Sequence, residues 1–198
     1  MIIGLDLSIN STGVCLRKKD EVLYYLIVPK LTRKMGAINA NKTARIRYIT
    51  YDKIADLDSH NIRCISEKIR DIIKDLTQSR GSCSETSLQC NESEDIEGAV
   101  IEDVAMRANG RSIITLTLLN GYVRCMLDML HISYQTVSPT SWKKRVLGNG
   151  QADKELTIYH WAKFDQEVCK LMSAMNCKMD DVADSYFLAC YGELKNIQ

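Results

Sequence analysis

The chain opens on an apolar run, MIIGLDLS, that breaks at the polar stretch INSTG. VCLRKK and EVLYYLIV follow, split by Lys19 and Asp20. Short apolar runs bounded by turn residues predict three strands, the later two joined as a hairpin. Residues 29–44 are basic and predict a loop. Residues 45–57 fit two templates: RYITYDKI has strand content, while Ile46, Ile49, Lys53 and Leu57 could share a helix face. From residue 61 the pattern is clearer. Ile62, Ile65, Ile69, Ile72, Ile73 and Leu76 recur at helical spacing.

The stretch 78–98 is rich in Ser, Glu, Asn and Gly, which predicts a mobile insertion or loop. AVIEDVAM restores a buried strand. RSIITLTLLNGYVRCMLDML predicts a helix with Ser112 near its start, and its Gly121 suggests close packing against another backbone. ISYQTV predicts a further strand, PTSWKKRVLGNG a short helix ending at Gly148, ADKELTIYHWAKF a helix, and residues 180–195 the last helix. Three meandering strands followed by alternating helices and strands imply an α/β fold with a mixed sheet, antiparallel then parallel, flanked by helices. The chain contains no internal repeat.

Composition narrows this picture. The 198 residues, 45% of them hydrophobic, suit a single domain with a sizeable core. A net charge of +1 excludes a global field that would draw the chain to nucleic acid or membrane, though a local basic patch can exist. The eight cysteines lie mostly inside apolar segments, and no secretory segment precedes the first strand. They therefore predict free thiols in an intracellular reducing compartment: cytoplasm, nucleus or viral replication site. No C-x-x-C pair occurs, and His60, His131 and His160 are read as lying at no ligand spacing to a cysteine, which argues against structural zinc.

Acids inside core-like segments are the candidate chemistry. Asp6 interrupts IIGLDLS, Glu102 closes or nearly closes AVIEDV, and Asp181 and Asp184 are three apart on one face of the last helix. An unpaired charge in an apolar setting is expensive, and a divalent cation would resolve all these costs together. Each acid has a plainer reading. Asp180 and Asp181 could cap a helix, Asp6 could end a strand, and Glu102 could face solvent at a strand edge. Asp180 also leaves the pairing open, since Asp180 with Asp184 is an alternative to Asp181 with Asp184. Lys143 through Lys154 is net basic. On their residues alone, Lys144 and Arg145 could be a solvated helix face, Gly148 and Gly150 could simply end a helix, and Arg107, Asn109 and Arg111 follow Glu102 and could face solvent. Trp142 and Trp161 are expected in the core.

IIGLDLSINSTG, IEDVAMRANGRS, WKKRVLGNGQADKE and DDVADSYFLA, in this order, resemble the RuvC family of Holliday junction resolvases within the ribonuclease H-like superfamily. The blocks span nearly the whole chain except the insertion. The resemblance implies a metal set of Asp6, Glu102, Asp181 and Asp184, with Lys143 and Lys154 near the scissile phosphate. It implies two Mg²⁺ ions, with Mn²⁺ as an alternative, and hydrolysis of a phosphodiester to 5′-phosphate and 3′-hydroxyl ends. Paired nicks on a four-way junction imply a homodimer, with the helix over 112–130 as its interface. The partner the resemblance implies is branched DNA, with Arg107, Asn109, Arg111, Gly148 and Gly150 as candidate contacts and Lys144 and Arg145 evenly weighed between contact and solvated face; no membrane is implied. Two departures, Ala105 where bacterial members carry an aromatic residue and the polar insertion, suggest a phage, viral or organellar type of member. Two other activities are weighed beside this: a broader flap or branched-DNA nuclease, and an ATP-dependent phosphotransferase of actin-like or sugar-kinase type, which GLDLSINSTG also resembles. A non-catalytic nucleic-acid module is disfavoured by the four acids.

Overall fold

The computed structural model describes residues 1–19, 21–78, 96–104 and 110–195. Six strands form one sheet: β1 (Ile2–Asp6), β2 (Thr12–Lys18), β3 (Glu21–Val28), β4 (Ile46–Thr50), β5 (Gly98–Glu102) and β6 (Tyr134–Val137), in the order β4-β3-β2-β1-β5-β6. β1, β2 and β3 pair antiparallel, while β4 runs parallel to β3, and β5 and β6 extend the sheet parallel to β1. The helices are α1 (Arg33–Ala40), α2 (Asp58–Gln78), α3 (Gly110–Met129), α4 (Pro139–Leu147), α5 (Lys154–Phe164), α6 (Gln166–Ala174) and α7 (Asp180–Lys195). The mixed sheet flanked by helices is the one expected. No described helix is long and apolar enough to cross a membrane.

Strand alternation divides the core in two. Ile2, Cys15 and Val100 belong to the cluster with Trp142, Trp161, Phe187 and Leu188. Ile3, Leu5, Val14, Leu16, Ala99 and Ile101 belong to the other, with the α2 isoleucines and with Leu119 and Val123 of α3. Side chains two apart on a strand share a face. Gly4 and Asp6 therefore share the face of Ile2, Gly13 that of Cys15, and Glu102 that of Val100. This is the face on which α7 lies.

Several local expectations are corrected. Residues 29–44 are not all loop: Thr32 caps α1 by accepting from the Met35 amide, and Ile38 anchors it, fully buried. The two-template stretch resolves into β4, and Asn39 of α1 joins it through paired bonds to the Tyr48 backbone, both 2.8 Å. The segment after Phe164 carries no predicted element; there Asp165 closes α5 and accepts from the Val168 amide to open α6. A Cβ on Gly121 would have nothing within 4 Å, so among the described residues the close backbone packing expected there is not found. His60 and Cys64 do meet, with Nε2 and Sγ 3.4 Å apart one turn along α2, contrary to the spacing read from the sequence. The insertion at 78–98 lies outside the described residues except at its ends.

Candidate active site

β1 and β5 run parallel with Leu5 opposite Ile101, so Asp6 and Glu102 are the next residues along two neighbouring strands. Both end their strands. Trp142 of α4 is fully buried and donates from Nε1 to Glu102 Oε2 at 2.7 Å. Its ring stacks on Phe187 of α7, with centroids 6.2 Å apart and planes at 18°. Asn120 of α3 donates to the Glu102 carbonyl at 3.2 Å, fixing the strand end from the opposite side. A cavity of about 140 Å³ lies here, lined by Asp6, Glu102, Asp103, Leu116 and Asn120 among others.

α7 brings in the remaining acids through two glycines that sequence reasoning did not single out. A Cβ on Gly4 would lie 2.0 Å from the Ser185 carbonyl oxygen, and one on Gly13 2.2 Å from the Asp181 carbonyl oxygen. Main chain thus rests on main chain. Gly13 is the register partner of Asp6, so this contact sets Asp181 over the end of β1. One glycine inside each of two neighbouring apolar strands is the signal that could have found it.

The acids repel one another. Burial first, then the charges of Glu102, Asp184, Asp181 and Asp180, hold the Asp6 carboxyl well above the usual carboxylate range. Asp184 is pushed up to about 7 by burial and by Glu102, with Lys143 opposing. Burial raises Glu102 against the Trp142 hydrogen bond and the Lys143 charge. Asp181 is raised by burial, partly offset by a hydrogen bond from Ser11. Asp180 behaves differently. Burial would raise it, but hydrogen bonds and charge from Lys154 and Lys178 prevail and hold it below its usual range.

The basic residues separate by position. Lys143 donates to the Ala152 carbonyl at 2.8 Å and acts on the acids through its charge. Lys154 donates to Asp180 Oδ2 at 2.5 Å. Lys144 and Arg145 are exposed on the last turn of α4, which Gly148 closes in the left-handed region at φ 73°. A Cβ on Gly150 would press on the Thr140 carbonyl at 3.0 Å, so its need is met inside the chain. Arg107, Asn109 and the Arg111 side chain lie outside the described residues. Trp142 and Trp161 are in the core as expected, but the Trp142 bond to Glu102 and the whole role of Lys178 were missed.

Among the described residues, no three acid, histidine or cysteine side chains already form a coordination shell. Four carboxylates without a cation repel, and drawing their oxygens together needs the charge that would hold them. The donor set is nevertheless suited to a hard divalent cation: oxygen ligands on rigid elements, with the charge of Asp6, Glu102 and Asp184 largely uncompensated.

The fold is similar to that of a solved structure of RuvC from Thermus thermophilus, with a TM-score of 0.54 at 12% sequence identity, covering 99% of this chain and 96% of that one. T. thermophilus RuvC in complex with a Holliday junction substrate matches with the same TM-score and identity over 98% of this chain and 93% of that one. This is the ribonuclease H-like fold of RuvC. No family model matches the sequence, and no curated protein matches it significantly.

Proposed function

We propose, with that fold as the premise, that the chain is a metal-dependent endonuclease that cuts branched DNA. Its preferred substrate would be the four-way junction. The observation that carries the reading is the convergence of four half-buried carboxylates, Asp6 and Glu102 at the ends of neighbouring strands and Asp181 and Asp184 on α7, which packs over that sheet face. Such a cluster is costly in a protein that does nothing with it. The likeness to a protein solved with a Holliday junction supports the choice of substrate.

Asp6, Glu102, Asp181 and Asp184 would hold two Mg²⁺ ions, or Mn²⁺ in their place. Bound there, the ions would supply activation of water and stabilisation of the leaving oxygen in phosphodiester hydrolysis. Glu102 is oriented for the task by the Trp142 indole. Asp180 is the least suited of the aspartates to be a ligand, because two lysines already meet its charge. Lys143 lies where its charge acts on the acids and would offset the added charge of a phosphate.

A homodimer would supply the two sites that paired nicks require. Ile114, Leu118, Tyr122, Cys125 and Met129 recur along one side of α3, and Ile114 and Met129 are 62% and 82% exposed. That stripe is the interface we propose. The cysteine usage suits a reducing compartment.

The test is cleavage of a labelled four-way junction by the pure protein with Mg²⁺, beside duplex, flap and nicked controls. Paired symmetric nicks on the junction alone are expected. Equal cutting of flaps would move the reading to a broader branched-DNA nuclease. Asp6→Asn and Glu102→Gln should each slow cleavage by about a hundredfold or more, a transition-state loss of roughly 3 kcal/mol. Full activity in either variant would refute the metal set.

A further inference from the structure

Lys178 has figured so far only as a partner of Asp180, yet it ends beside Asp181 as well. Its Nζ lies 3.0 Å from Asp180 Oδ2 and 3.4 Å from Asp181 Oδ1. Lys154, from the first turn of α5, reaches the same Asp180 Oδ2 at 2.5 Å. The two ammonium groups therefore share one oxygen and cannot be farther apart than the two bonds laid end to end. Asp180 is buried, 5% exposed, whereas the Lys154 and Lys178 side chains are 70% and 65% exposed. Asp180 meets one of the two positive charges, and Lys178 also pairs with Asp181 at 3.4 Å. Both ammonium groups face outward, and a cation held by Asp181 would leave one positive charge over for an anion. Each ammonium carries three N–H donors, and Asp180 and Asp181 do not use them all.

We propose that Asp180 is a positioning residue that holds Lys154 and Lys178 as a paired seat for a phosphodiester of the nucleic-acid strand, next to the one that is cut. A free lysine side chain explores many rotamers, and contacting a phosphate would freeze them. Here a buried acid has already restricted two such chains at one point. A lone surface ion pair would not have this arrangement, because its acid would be exposed and its lysine free to leave. The seat rests on the nuclease reading for the identity of its strand. It gives Lys178 a role in binding and Asp180 a role that is neither metal ligation nor simple helix capping.

The experiment compares wild type with Lys178→Ala, Lys178→Arg and Asp180→Asn. Binding to a fluorescent four-way junction and to plain duplex is measured in EDTA across a range of salt. Cleavage is then followed at single turnover across a Mg²⁺ titration, with circular dichroism melts to verify folding. Lys178→Ala should weaken binding about 5- to 10-fold and reduce the salt slope by about one, the signature of one lost phosphate contact. Its saturated rate should stay within about threefold of wild type, and Lys178→Arg should restore the affinity.

Asp180→Asn separates charge from position. Removing one negative charge would by itself tighten binding and leave the rate alone. The positioning role predicts instead weaker binding, by about the 5- to 10-fold expected for Lys178→Ala, with an unchanged Mg²⁺ midpoint. Unchanged affinity and slope in Lys178→Ala would overturn the seat, as would unchanged or tighter binding in Asp180→Asn. A Mg²⁺ midpoint raised severalfold in Asp180→Asn would overturn it too, by making Asp180 a cation ligand. A wild type that binds but cuts nothing would defeat the nuclease reading, while the Lys178→Ala slope still decides the seat. A wild type that cuts while Lys178→Ala changes nothing would defeat the seat alone. A wild type that binds no nucleic acid defeats both.

Discussion

Asp184 shows what the site does to a single residue. Its carboxyl titrates at about 7 in the folded chain, driven by burial and by Glu102, against about 3.9 in an unfolded one. Between those values the folded state holds more protons. The stability linked to Asp184 is therefore fully present below the unfolded value and is lost as pH rises through 7. In EDTA, the melting temperature should climb as pH is lowered from about 8 to about 6. Mg²⁺ should stabilise most at the upper end, where the acids are charged. Asp184→Asn in EDTA at pH 8 should stabilise by on the order of 2 kcal/mol and flatten the pH dependence, while abolishing cleavage. A melt in which the variant is less stable than wild type would show that Asp184 is not under strain from its neighbours.

At the scale of elements, β1, β2 and α7 form the site through Gly4 and Gly13. Gly13→Ala would drive a methyl group into the Asp181 carbonyl and Gly4→Ala into that of Ser185, and neither obstacle is a flexible side-chain end. Each should cost about 3 kcal/mol or more, the upper range for overpacking. Each should also impair cleavage in whatever fraction still folds. Denaturant titration with a parallel single-turnover assay checks both. The strands and long helices were legible because their apolar periods of two and 3.6 are strong signals. Asp6 and Glu102 were legible as acids out of place in apolar runs. α1 was not, since one buried residue, Ile38, and a Thr32 cap are all that mark it. The Trp142 bond to Glu102 was not either, because no local pattern reports which way an indole N–H points across 40 positions of sequence. No local pattern separates Asp180 from Asp181, because what bears on the choice, the positions of Lys154 and Lys178, lies outside the helix that carries them.

For the whole molecule, the open question is assembly. Leu118 sits mid-stripe on α3 and is 55% exposed, so a charge there should be tolerated by the fold and not by the partner. Leu118→Asp is expected to leave the melting curve of the monomer unit nearly unchanged, within about 0.5 kcal/mol as for surface substitutions in general. Sedimentation velocity should then show one chain where wild type shows two. On a junction, such a monomer would leave single nicks in place of paired ones. A wild type that sediments as one chain, with and without junction, would remove the dimer and with it the explanation of the stripe.

The glycine contacts also limit motion. With the Asp181 and Ser185 carbonyls resting on the β2 and β1 backbones, α7 has no room to move toward the sheet. Along the sheet normal its backbone can fluctuate only outward, which carries Asp181 and Asp184 away from Asp6. The floor of the site acts as a stop and not as a spring, so oxygens drawn together around a cation would come by side-chain rotation and not by α7 closing on the sheet.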